Sequence, residues 1–165
     1  MQKPVLAILL AGAALSLGAQ DVQFGVQGGI SLPAADLSNK ASLGLTGGGH
    51  ARWDFSQGHG LMARADLDLF TSNGGTNVTG LGVAADYTYH LERRPAGFYF
   101  LAGLNQLSFR TSPSAGPSRS DSSFGIDLGA GYDLDRHLGV QARYTTNSFN
   151  SLSYAALNLG VTYTF

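Results

Sequence analysis

Large apolar residues recur at every second position over much of this chain, with small or polar residues between them. The last segment shows it most plainly: Leu157, Leu159, Val161, Tyr163 and Phe165 alternate with Asn158, Gly160, Thr162 and Thr164. A period of two marks a β-strand whose two faces meet different surroundings. The pattern predicts strands over Val22–Leu32, Leu43–Phe55, Leu61–Phe70, Val78–Leu91, Phe98–Phe109, Phe124–Leu134, Leu138–Thr146 and Leu152–Phe165. In the fifth strand the phase blurs after Asn105, which predicts a bulge near Gln106. The segments are close to the roughly 9–11 residues that a tilted membrane strand needs.

The connections alternate in character. Pro33–Ser42, Thr71–Asn77, Arg110–Ser122 and Asn147–Ser151 read as polar loops on one end of the strands. Gly58-His59-Gly60, Glu92–Gly97 and Asp135–His137 read as turns on the other; glycine admits the positive φ that tight turns need. Pro95 cannot sit in a central strand. An even number of antiparallel strands closes into an up-and-down barrel, which leaves no edge. The fold expected is therefore all-β, an eight-stranded antiparallel transmembrane barrel.

Residues 1–19 read differently. Lys3 gives a short positive start, Val5 to Leu17 is apolar, and Gly18-Ala19 offers a small-residue exit. That is the pattern of a helical secretory signal peptide, too short for a spanning helix, with cleavage expected after Ala19. The barrel domain is then 20–165.

Alternation alone does not say which face points inward. The bulky apolar set would overfill the narrow interior of an eight-stranded barrel, whereas the small set with a few charged residues fits it. Nine aromatics also fall at the turn end: Trp53, Phe55, Tyr87, Tyr89, Phe98, Phe100, Tyr132, Tyr163 and Phe165. Such a level of rings is the girdle expected at a membrane interface. The other architecture compatible with the pattern is a soluble secreted or periplasmic ligand-binding barrel like a lipocalin, with the apolar face inside. Charged residues make up only 13%, against roughly 25% in ordinary soluble domains. With a net charge of −1 and no basic stripe, nothing points to nucleic acid. With no cysteine there is no disulfide framework.

The segment Asn158-Leu159-Gly160-Val161-Thr162-Tyr163-Thr164-Phe165 resembles the terminal signal of bacterial outer-membrane barrels: polar residue, Gly, aromatic, then a final Phe. Strand number, alternation, girdle and this motif together resemble the small OmpA/OmpX-type barrels over nearly the whole chain. The resemblance implies a Gram-negative-type outer membrane, contact with its lipid, and reading of Asn158, Gly160, Tyr163 and Phe165 by the barrel-assembly machinery. It names no surface partner and no cofactor.

The inward set carries Arg52, Arg64 and Arg143 with Asp54, Asp66, Asp68, Asp86, Asp127 and Asp133, plus His50 and His90. Buried charges must pair, since desolvating one alone costs several kcal/mol. An internal network that plugs the lumen is favoured over an ion or proton path. Taking Gly58–Gly60 as the loop sets Asp54 opposite Arg64, Arg52 opposite Asp66 and His50 opposite Asp68, and places Asp127 opposite or diagonal to Arg143. No serine shares an outward rim with a histidine, so a nucleophile would lack its base and no catalytic site is expected. The four histidines lack metal-ligand spacing. Binding is then left to the loops.

Overall fold

The computed structural model describes residues 22–39, 41–55, 57–72, 76–92, 97–113, 119–149 and 152–165. The leader and Pro95 lie outside them. The strands are β1 (Val22–Ala34), β2 (Ala41–Asp54), β3 (His59–Ser72), β4 (Thr76–His90), β5 (Gly97–Pro113), β6 (Arg119–Asp133), β7 (Leu138–Phe149) and β8 (Leu152–Thr164). Each pairs antiparallel with its neighbours in sequence, and β8 pairs with β1, so the sheet is a closed up-and-down barrel.

Most of the large apolar residues point away from the barrel, and every strand contributes some of them. Phe24, Leu45, Leu67, Leu81, Leu104, Phe124, Val140 and Val161 are all exposed, Leu104 at 68%. The alternate positions are buried and carry the charges. This polarity excludes the lipocalin-like arrangement, in which the apolar face would line the interior. Inward room is made locally by glycine. Gly25 lies opposite His50 and under its ring, Gly131 opposite Tyr99 and under its ring, and Gly103 opposite Asp86 and against its carboxylate. A Cβ at any of these positions would occupy the space its partner fills.

Several connections differ from the sequence reading. Pro33–Ser42 is mostly ordered secondary structure: β1 runs to Ala34, a 3-10 turn covers Ala35–Asn39, and β2 starts at Ala41. Leu37 is the reason, for its side chain is fully buried in the barrel mouth. Much of Arg110–Ser122 is strand, as are Thr71, Ser72, Thr76 and Asn77, and Asn147 to Phe149. The remaining loop residues, 40, 73–75, 114–118 and 150–151, lie outside the described ones.

No bulge occurs near Gln106. The register of β5 runs unbroken from His90↔Tyr99 to Thr76↔Pro113 and, against β6, from Gly97↔Asp133 to Thr111↔Arg119. What changes after Asn105 is chemistry, not phase: Leu107 and Phe109 point inward while Gln106 and Ser108 point outward. The one register shift in the β2–β3 pair lies between Ala41 and Gly44.

The β2–β3 register also differs from expectation. Asp54 pairs with Gly60, Arg52 with Met62, and His50 with Arg64. The turn sits earlier in the chain, closed by the Phe55 N–H to His59 carbonyl bond at 2.9 Å, with positive φ at Gln57 (54°) and Gly58 (89°). Charge matching between the two strands does not set this register, because their arginines reach across the lumen to other strands. Asp127 pairs with Thr145 and Gly129 with Arg143, so Asp127 and Arg143 are diagonal neighbours, within the expected range.

Candidate functional site: the barrel interior

The interior is layered. At the loop end Leu37, Ala41, Phe70, Val78, Leu107, Phe109, Tyr154 and Ala156 form one buried apolar cluster. The rings meet edge-on, Phe109 and Tyr154 at 5.7 Å between centroids and Phe70 and Tyr154 at 6.2 Å. Asp36 helps hold the 3-10 turn over this mouth by accepting the Ser153 N–H at 3.0 Å.

Below it lies the polar belt, centred on Arg64. Its guanidinium donates to Asp66 on its own strand, to Asp86 on β4 (2.5 Å from Nε) and to Asp127 on β6. All four residues are buried. Thr145 on β7 donates to the other oxygen of Asp127 at 2.5 Å. Arg143 on β7 crosses to Asp66 at 3.0 Å and donates to Gln141 at 3.0 Å, and Gln27 on β1 also donates to Asp66. Asp68 takes the Tyr154 hydroxyl at 3.1 Å, which ties the belt's level to the mouth cluster.

Towards the turn end Arg52 pairs with Asp133 on β6 at 2.7 Å and with Asp54 at 3.5 Å. His90 contacts the same Asp133 oxygen at 3.3 Å and stacks on Tyr99 at 5.0 Å. The Arg52 guanidinium carbon lies 5.3 Å from the centre of the Tyr99 ring, within cation–π range. Tyr99 accepts from Gln141 at 3.0 Å, so the Arg52 group is linked through Tyr99, Gln141 and Arg143 to the Arg64 group. His50 stands apart, 3.4 Å from the Thr164 hydroxyl.

The charged residues named from the sequence are thus on the inward face, but few pair with the neighbours the sequence suggested. Sequence reasoning missed Gln27, Tyr99, Thr145 and Tyr154 as members. Strand parity was the available signal: Tyr99 sits between Phe98 and Phe100, so it must face the opposite way. Among the described residues no group of three or more His, Asp or Glu is arranged to hold a metal ion.

Outside, the aromatics of the turn end touch in sets. Trp53 and Phe55 are 5.0 Å apart, Phe98 and Tyr132 meet edge-on at 4.7 Å, and Tyr163 and Phe165 edge-on at 5.7 Å. Tyr89 lies opposite Phe100, and Tyr87 opposite Ala102. His59 lies among Phe55, Tyr87 and Tyr89, a histidine the sequence reading did not include. Of the last-strand motif, Asn158 is buried opposite Arg143, Gly160 lies opposite Gln141 and Gly29, and Tyr163 and Phe165 point outward.

Known proteins share this architecture. Ail, the attachment invasion locus protein of Yersinia pestis, superposes with a TM-score of 0.59 at 16% identity, covering 88% of this chain and 100% of Ail. The N-terminal β-barrel domain of Pseudomonas aeruginosa OprF gives 0.56 at 14% identity, covering 87% and 97%. OprG from the same organism gives 0.57 at 13% identity, covering 88% and 96%. At these identities the likeness is one of fold. No curated protein sequence matches this chain. Residues 5–165 match the family described as outer membrane protein beta-barrel domain, and the chain, a closed barrel with its apolar face outward, belongs to that family.

Proposed function

We propose that this outer-membrane barrel has a non-catalytic structural or surface-interaction role, carried by its outer loops, and that its lumen is plugged by charged pairs. The observation that carries the plug is Arg64, whose one guanidinium holds carboxylates from β3, β4 and β6 and so spans the lumen. The apolar mouth cluster supports it from the loop end. Eight-stranded barrels have interiors that side chains fill; barrels of roughly 16 strands leave an aqueous channel. Export by the leader with cleavage after Ala19, and assembly through Asn158, Gly160, Tyr163 and Phe165, complete the reading. The rings at Trp53, Phe55, Tyr87, Tyr89, Phe98, Phe100 and Tyr132 then sit at the periplasmic lipid interface.

Purified protein in a planar bilayer is expected to give no steady single-channel steps. Reproducible ion-selective conductance in the unmutated protein would overturn the plug and move the functional site from the loops to Arg52, Asp66, Asp127 and Arg143.

A further inference from the structure

The β7–β8 ladder ends at the rung Leu138↔Tyr163, because β7 begins at Leu138. Beyond it β8 would present a bare edge on that side, and an unpaired edge invites pairing with other strands. The turn before β7 fills this place. His137 accepts the Thr164 N–H on its backbone carbonyl at 2.7 Å. Its ring nitrogen Nδ1 lies 2.8 Å from the Thr164 carbonyl, and a carbonyl can only accept, so Nδ1 carries the proton. The same ring stacks on Tyr163, 6.0 Å between centroids and 21° between planes.

The turn is itself braced. Asp135 accepts the backbone N–H of His137 at 2.7 Å and of Leu138 at 2.8 Å. Those bonds, that of Leu138 first, hold the exposed Asp135 carboxyl below the usual range. On the opposite side the Phe165 N–H donates to the Phe24 carbonyl at 2.8 Å. Thr164 and Phe165 are therefore gripped from both flanks, by a turn on one and by β1 on the other.

We propose that Asp135–His137 is a clasp for the end of the last strand, on its β7 side, with His137 as its positioning residue. Its imidazole fastens Thr164 where β7 no longer reaches, and closing it withdraws the edge left at Thr164–Phe165, the end of the segment Asn158–Phe165, from any other strand. The consequence for assembly rests on the reading of that segment as the assembly signal; the clasp does not.

Amide exchange on the full chain in nanodiscs separates the two. In His137→Ala the Thr164 and Phe165 amides should exchange about tenfold faster, roughly the worth of one net hydrogen bond, with Gly160 and Val161 unchanged. His137→Asn, whose side-chain N–H can stand near the place of the imidazole Nδ1–H, should restore protection to within about threefold; His137→Gln, whose donor lies farther out, should not. Unchanged exchange in His137→Ala, equal acceleration all round the barrel, or no rescue by asparagine would each overturn the clasp. The second measurement is the rate at which heat-modifiable barrel forms in vesicles carrying the assembly machinery. Slower formation in His137→Ala only when the machinery is present supports the withdrawal step. Equal rates with the clasp intact by exchange would overturn that step and leave the clasp standing.

Discussion

At the loop end the lumen is filled by Phe70, Phe109, Tyr154 and Leu37; one or two rungs lower the same strands present Asp66, Asp68, Asn105 and Asn158. The change is abrupt, with Phe70 and Asp68 on consecutive inward positions of β3. In the mouth, contacts are non-directional, and removing a side chain costs its transfer energy and the cavity left behind. In the belt, charges are tied across several strands through Arg64 and Arg143, and removing one of these cations leaves buried carboxylates short of compensation. The mouth should fail locally and the belt collectively.

The largest effect should come from Arg64→Ala, which takes the shared cation from Asp66, Asp86 and Asp127 at once. A loss of about 5 kcal/mol, the upper end for breaking a buried ion pair, is expected in urea titrations of the barrel in vesicles. Phe109→Ala should cost about 3 kcal/mol in the same assay, with the belt retained. Equal losses, or a greater loss for Phe109→Ala, would break the distinction between the layers.

Tyr154→Phe tests the junction. It keeps the ring between Phe70 and Phe109 and removes only the hydroxyl that Asp68 accepts, so a loss of about 1–2 kcal/mol is expected. No loss would mean the two layers are independent. Asp135 lies outside both and should show the smallest effect. Its carboxyl is held low in the folded chain, so its contribution is present in full above its unfolded pKa and is lost as pH falls through the folded value. Asp135→Asn should therefore be slightly less stable than the parent at neutral pH, and the gap should close on acidification. A gap that widened in acid would contradict the hydrogen bonds to His137 and Leu138.

These two layers were unequally legible in the sequence. Parity put Arg64, Asp66, Asp86, Asp127 and Arg143 on one face, since one rule covers every strand. The pairing did not follow, because Arg64 meets Asp127 across the barrel rather than along a hairpin. The mouth was misread outright. Leu107 and Phe109 kept their inward parity, but apolar residues on an otherwise polar face looked like a broken phase. Leu37 lay in a stretch of loop-like composition, and only the cavity it enters makes it structural. The β2–β3 turn was misplaced because moving it from Gly58–Gly60 to end at Gly58 keeps every side chain on its face, and hydrophobic pattern cannot choose between two such registers.

The glycines opposite His50, Asp86 and Tyr99 give the interior its own rule of inheritance. Each of these three residues has a glycine socket on a neighbouring strand, so the glycine cannot gain a side chain while its partner keeps its size. Replacing Gly131 by alanine must move the Tyr99 ring, and with it the stack on His90 and the bond from Gln141. Outward positions carry no such tie, because lipid adapts to whatever apolar shape it meets. Divergence in this barrel should then run at two speeds: single, free exchanges among Leu, Val, Ile and Phe outside, and rare matched replacements inside. A descendant that had lost Tyr99 could accept a side chain at position 131, and one that had kept it could not.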